Sequence, residues 1–385
     1  MRKNDEKVIY NLICSVIKKK RAELHEPNFN NLESKYLKKA IKRKFVSRKG
    51  NFVDGFLKKI KLLTKSNYVI LTSSGTSALH LALLAINLKE NEEVLMPSLN
   101  YIASANATLY CSAIPHFVDV DEESLGIDPR KLDNYLSKIC KLKKKQCYNK
   151  KTNRLIKALI CLHTFGYPAK ILEIKKICAK YNIKLIEDSA EALGSFLNKK
   201  HLGTFGDIGI LSFNGNKIIT TGSGGAVLTN NLRLAKKIDH LSKIAKKAHP
   251  YKLDYNTLGY NYNMSNLNAA LGLAQIEKIN FFLNKKKKLH TRYSKKFQKI
   301  KFLKVFSDNK LNKSNNWLIT LILDKSNKAL LKKLFDYSNS KKISTRPVFK
   351  LLHKINYLKK YPKMNLENSI ELEGRIITIP SSSFL

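Results

Sequence analysis

At 385 residues the chain is long enough for one large domain and a smaller one. Its 43% hydrophobic and 9% aromatic content is that of a globular protein and excludes a disordered one. A formal charge of +43 raises nucleic-acid binding, but the lysines are spread over almost every segment rather than gathered on one face. That spread reads as composition bias, and no specific nucleic-acid partner is expected. The six cysteines show no CxxC spacing and no pairing with nearby histidines, which argues against a zinc site or a disulfide framework and fits a reducing cytosol. No metal is expected.

Residues 1–50 read as a basic, helical segment. Within it the apolar stretch from Val8 to Ile17 is broken by Tyr10 and Asn11 and is far too short to span a bilayer, so it reads as an amphipathic surface helix and the protein as cytoplasmic. Short apolar runs then alternate with helical patterns. Strands are expected at Tyr68–Thr72, Glu93–Met96, His116–Val120, Leu155–Leu162, Ile183–Glu187, Ile208–Phe213 and Gly225–Leu228, with helices at Ser77–Leu88 and Ile102–Tyr110. Strands this apolar, separated by helices, predict a mostly parallel sheet covered on both faces. The charged stretch from Lys141 to Arg154 reads as a loop, and a further strand is expected at Trp317–Leu323. The expected division is a helical segment over residues 1–50 packing on a large domain of residues 51–250, and a small α+β domain over residues 251–385.

In an open parallel sheet, ligands bind beyond the carboxyl ends of the strands, and four segments place informative residues there. Ser73–His80 runs from a strand into a helix; Gly75 permits the turn, and the amides of Thr76 and Ser77 offer either a phosphate seat or an ordinary cap. Asp188 ends a strand, where its buried carboxylate either pairs with a protonated ring nitrogen or caps the next helix. Lys217 stands alone in a Gly-rich, uncharged stretch after a buried strand, a setting in which lysine can lose its charge and attack an aldehyde. Ser212 precedes it and can add a hydroxyl to a phosphate. Tyr101, in Pro97–Asn106, and His163, at the end of a strand, are each either core residues or contacts to a flat ring or substrate.

In order and separation these segments resemble the DegT/DnrJ/EryC1/StrS family of sugar aminotransferases. The matching pieces are Ser74-Gly-Thr-Ser-Ala-Leu-His, Pro97-Ser-Leu-Asn-Tyr-Ile-Ala-Ser-Ala-Asn, Glu187-Asp-Ser-Ala-Glu-Ala-Leu-Gly, Gly206-Asp-Ile-Gly-Ile-Leu-Ser-Phe-Asn-Gly-Asn-Lys, and Gly259-Tyr-Asn-Tyr with Asn268-Ala-Ala-Leu-Gly-Leu-Ala-Gln. The resemblance runs from about His25 to the end. It implies the α/β fold of fold type I pyridoxal-phosphate (PLP) aminotransferases, with Lys217 bonded to the cofactor aldehyde and Asp188 on its pyridine nitrogen. Gly75, Thr76, Ser77 and Ser212 then hold the phosphate, Tyr101 stacks on the ring and Glu191 stands near it. Asn261 matches a residue that reaches the neighbouring subunit's cofactor, which implies a homodimer with shared active sites.

Ser212–Thr221 and Thr345-Arg-Pro-Val-Phe-Lys-Leu-Leu-His resemble the branch acting on nucleotide-linked 4-keto-6-deoxy sugars for surface polysaccharides. That implies amination at C4 with an amino-acid donor, glutamate. Arg346, placed in a loop by the following proline, is a candidate for the diphosphate, and His163 a candidate for the substrate. Asn263 departs from the family, which has Arg there, so a bidentate contact is missing. Two other readings stay open: another PLP enzyme of this fold, such as a dehydratase or lyase, and a non-catalytic basic scaffold that binds nucleic acid.

Overall fold

Apolar side chains project from both faces of nearly every central strand, and a sheet built this way must be covered twice. The computed structural model, which describes residues 4–48, 50–308 and 312–385, shows that covering. Residues 1–3 and Lys49 of the expected N-terminal helical segment lie outside the described residues.

Three helices, α1 (Asp5–Ile17), α2 (Asn31–Lys42) and α3 (Asn51–Thr64), precede β1 (Tyr68–Thr72). There follow α4 (Gly75–Ala85), β2 (Glu93–Pro97), α5 (Ala103–Tyr110), β3 (Ile114–Val118), α6 (Pro129–Ile139), β4 (Cys140–Lys143), β5 (Gln146–Asn149), β6 (Ile156–Leu162), α7 (Ile171–Tyr181) and β7 (Lys184–Asp188). Two short strands, β8 (Phe196–Leu197) and β9 (Lys200–His201), lead to β10 (Ile208–Ser212), β11 (Gly225–Thr229) and α8 (Leu232–Ser242). The remainder comprises α9 (Asn266–Ile276), α10 (Ile279–Phe297), β12 (Leu303–Val305), β13 (Asn312–Lys313), β14 (Thr320–Leu323), α11 (Lys328–Ser340), β15 (Arg346–Pro347), α12 (Glu367–Glu373) and β16 (Ile376–Thr378).

The main sheet has the order β1-β11-β10-β7-β6-β2-β3. Only β11 runs against the others, since it is antiparallel to both β1 and β10 while the remaining pairs are parallel. Strand alternation sorts the core. Ile70, Val94, Ile160, Ile186, Ile210 and Val227 pack with α4, α5 and α8. Their neighbours Leu71, Leu211, Ala226 and Leu228 face α3 and α9, and Leu95, Leu159 and Leu185 face α6 and α7. A smaller antiparallel sheet, β12-β14-β16-β15, carries α10 and α11.

Three expectations are corrected. The stretch from Lys141 to Arg154 contains the β4–β5 hairpin, whose outward-facing lysines hide its alternation. Cys140 and Cys147, in this hairpin, form a disulfide, so these two no longer support a reducing compartment. The N-terminal segment divides: α1 buries Ile9, Ile13 and Val16 against α10 and α11 of the smaller layer, and only α2 joins α9 and α3 over the large sheet. Helix ends also show composition at work. At the carboxyl ends of α1, α3 and α7, where glycine is common, Lys18, Lys65 and Asn182 adopt left-handed conformations with φ of 52°, 56° and 53°.

Close packing at the sheet centre gives a test. A Cβ added at Gly209 in β10 would stand 1.9 Å from the Gly203 carbonyl oxygen, a backbone atom that cannot step aside. Gly209→Ala should therefore cost about 1–3 kcal/mol, read as a lower denaturant midpoint. An unchanged midpoint would contradict this packing.

Candidate active site

The carboxyl ends of β1, β6, β7 and β10 open into one cavity of about 830 Å³. At the β1–α4 turn, Ser74 caps the helix: its Oγ accepts the Ser77 N–H at 3.0 Å, and Ser77 Oγ accepts the Ser74 N–H at 3.0 Å. The Ser77 hydroxyl is thus engaged within the cap and does not line the cavity, whereas Gly75, Thr76 and Ser212 do. Gly75 is required for closeness, because a Cβ there would lie 3.0 Å from Ser212 Cβ.

Lys217 projects into the same cavity. Its Nζ lies 3.8 Å from Glu191 Oε1 and 3.9 Å from the centre of the Trp317 ring. Burial lowers the pKa of this amine, and the nearby Glu191 and Asp188 only partly restore it. Burial also raises the two carboxyls. Glu191 is pushed up to about 7, against the opposing pull of Lys217 and of the Phe165 N–H, which it accepts at 2.7 Å. Asp188 is raised as well, by the same burial, opposed by hydrogen bonds its oxygens accept from the Ala190 N–H and the Ser104 hydroxyl, both at 3.2 Å. It is a buried carboxylate whose hydrogen-bond partners are all neutral, the setting in which a cation is wanted.

These residues fit pyridoxal phosphate. Lys217 offers an amine readily made neutral, Asp188 a buried acceptor for a protonated ring nitrogen, and the Gly75–Ser212 approach leaves room where a side chain would intrude on a phosphate.

The other expected residues are placed as follows. Tyr101 stands on the rim, 57% exposed, its ring edge-on to Phe349 at 6.0 Å. Arg346 also lines the cavity, although it sits in β15 rather than in a loop, and no side-chain partner holds its guanidinium among the described residues. His163 is not brought to the cavity. Its Nε2 pairs with Glu187 at 3.0 Å and its Nδ1 accepts the Ala169 N–H at 3.1 Å, so both nitrogens are engaged inside the core. The alternation that turns Leu162 inward turns its neighbour away. Asn261 is exposed, bridged to Lys243 and outside its own chain's cavity. Asn263 donates to the Ser242 carbonyl at 2.7 Å.

Sequence reasoning missed several walls of the site. Trp317 and Phe165 line it, as does His25, whose two ring nitrogens are buried. Of these, only the His25-Glu-Pro turn carried any signal, as the start of the family resemblance.

Glu191 makes the site sensitive to pH. Its carboxyl ionises near 4.5 in the unfolded chain and near 7 when folded, so in between the folded chain holds a proton that the unfolded chain has released. The resulting stability is full below about pH 4.5 and is lost as pH rises through about 7. In cofactor-free protein, Glu191→Gln should flatten this fall by roughly 2–3 kcal/mol between pH 4.5 and 8, measured by denaturant unfolding. Parallel pH profiles for the two chains would contradict it.

Proteins of similar sequence match over nearly the whole chain. The chain is 33% identical over 359 residues to a GDP-perosamine synthase of Escherichia coli O157:H7, covering 93% of this chain and 92% of that one. It is 31% identical over 347 residues to a UDP-4-amino-4,6-dideoxy-N-acetyl-beta-L-altrosamine transaminase of Campylobacter jejuni, covering 89% and 88%. The crystal structure of the aminotransferase TlmJ from Streptoalloteichus hindustanus superposes with a TM-score of 0.85 at 20% identity, over 95% of this chain and 94% of that one, and shares the fold. The model of the DegT/DnrJ/EryC1/StrS aminotransferase family matches residues 27–385, and the chain belongs to that family of PLP-dependent aminotransferases.

Proposed function

We propose that this chain transfers an amino group from glutamate to C4 of a nucleotide-linked 4-keto-6-deoxy sugar, for surface polysaccharide synthesis. The observation that carries the reading is the buried cluster of Lys217, Glu191 and Asp188 at the strand ends, beside a Ser-Gly turn suited to phosphate. The relatives supply the substrate class. One is named for a GDP-linked amino sugar, and another for a UDP-linked sugar whose amine is at position 4 and which lacks the 6-hydroxyl. We take the activity to be cytoplasmic, as the reading of a nucleotide-linked substrate that cannot cross a bilayer unaided suggests.

When bound, the cofactor supplies an electron sink for the bond broken at the donor carbon. Asp188 keeps its ring nitrogen protonated, and Thr76 and Ser212 hold its phosphate. The amine of Lys217, buried beside Glu191 and Asp188, would serve as the base that takes the proton from the donor Cα and as the acid that returns it, with the same roles in reverse for the acceptor. Arg346, with no competing side chain, is free to hold the nucleotide diphosphate in a bidentate grip. Lys217→Ala should abolish the borohydride-reducible bond to PLP and all amine transfer. Wild-type protein with glutamate and a panel of UDP-, GDP- and dTDP-linked 4-keto-6-deoxy sugars should yield one product carrying nitrogen at C4. Nitrogen at C3, or loss of a hydroxyl without gain of nitrogen, would overturn the assignment, the latter in favour of a dehydratase.

We infer further that the working unit is a homodimer. Asn261 is exposed and outside its own cavity, and the large apolar side chains Tyr251, Leu253, Tyr255 and Leu258 stand exposed on the preceding segment, a surface suited to a second copy. The division into a large domain and a small C-terminal one belongs to the same proposal. Mixing the inactive chains Lys217→Ala and Asn261→Ala should restore part of the activity, because each heterodimer contains one intact site. An active monomer by sedimentation would sink the idea.

A further inference from the structure

The lysines of residues 285–288 look like solvated surface, yet Lys286 is fully buried. It lies in α10, and its Nζ donates to the Trp317 carbonyl at 3.0 Å and to the Ser381 carbonyl. Neither partner is a carboxylate, and burial holds the amine well below the ordinary lysine pKa. Such burial is costly, and methionine would fill the same space without the penalty. The nitrogen is therefore worth keeping only for what it grips.

It grips the segment that covers the candidate active site. The Trp317 main chain is held from both sides, its carbonyl by Lys286 and its N–H by Asn315 Oδ1 at 2.8 Å. Its indole Nε1–H donates at 2.6 Å to the carbonyl of Asn216, the residue before Lys217. The ring face lies 3.9 Å from Lys217 Nζ. A continuous set of bonded contacts thus runs from α10 through Trp317 to the amine and to the loop that carries it.

We propose that Lys286 is a positioning residue for Lys217, acting through Trp317: it fixes the indole as a dry cover on the amine and as a brace for its loop. The proposal rests on Lys217 being the amine that bears the cofactor. An amine that must move a proton between fixed carbons tolerates little misplacement, and an error of about 1 Å can cost on the order of a hundredfold in rate.

Trp317 is the single tryptophan of the chain, so its fluorescence reports this contact without interference. In the wild-type holoenzyme, bound cofactor should quench that emission. K286M should shift the emission to longer wavelength, increase its quenching by acrylamide, and lower kcat for amine transfer roughly 10- to 100-fold with little change in acceptor KM. K286Q, whose carboxamide keeps a donor, should recover part of the loss. In a W317F background K286M should change kcat by less than about threefold, because the indole through which it acts is gone. Should K286M fail to fold, K286Q and its W317F combination carry the same comparison. Unchanged emission and kcat in K286M would overturn the proposal, as would an equal fold-loss with and without Trp317. Borohydride labelling on a lysine other than Lys217 would instead overturn the underlying reading.

Discussion

One amine and two carboxyls are buried together at the wall of one cavity, and much of the molecule serves that arrangement. Burial favours the neutral form of each group, so Lys217 is lowered while Glu191 and Asp188 are raised. Their mutual attraction offsets only part of this. A cationic ring bound beside them would favour the charged form of the carboxyls, and Glu191, pushed up to about 7, is the group that answers such a change near neutral pH. A solvated surface could not hold them so, because water would return each to its ordinary state.

Burial is supplied from distant parts of the chain. The main sheet contributes the floor through Leu162 and Asp188, and the smaller layer contributes Trp317 and Phe349. The strand-like strap before α2 brings in His25 and is tied to the carboxyl terminus, where the Leu24 carbonyl accepts the Ser381 N–H at 2.7 Å. Lys286 binds the adjoining Ser381 carbonyl and the Trp317 carbonyl together. The smaller layer is thus a wall of the cavity and not an appendage, and the bond from Trp317 to Asn216 joins the two layers at the loop that carries Lys217.

What could be read from the sequence follows from which signals are local. Buried strands announced themselves through unbroken apolar runs, and Lys217 through the uncharged company it keeps. Signals carried by parity or distance were lost. His163 sits one residue beyond Leu162, and that single step turns it from the cavity to Glu187. The β4–β5 hairpin was masked because it lies at the surface, where lysine rather than valine fills its positions. Lys286 was indistinguishable from its neighbours, since only the helix phase of α10 separates a buried lysine from an exposed one. Trp317 and His25 reach the site from opposite ends of the chain, and no spacing rule connects them to Lys217.

The left-handed lysines at the ends of α1 and α3 carry a different implication. A β-carbon in that conformation crowds the following carbonyl by roughly 1–2 kcal/mol, a penalty that asparagine eases and glycine escapes. At Lys18 and Lys65 the chain accepts this penalty where a residue without a side chain would relieve it, net of the greater flexibility glycine brings to the unfolded state. Neither position lines the cavity. The fold therefore holds unused stability reserve at its helix ends, available to evolution or engineering as an allowance against which harsher changes near the cluster of Lys217, Glu191 and Asp188 can be tolerated.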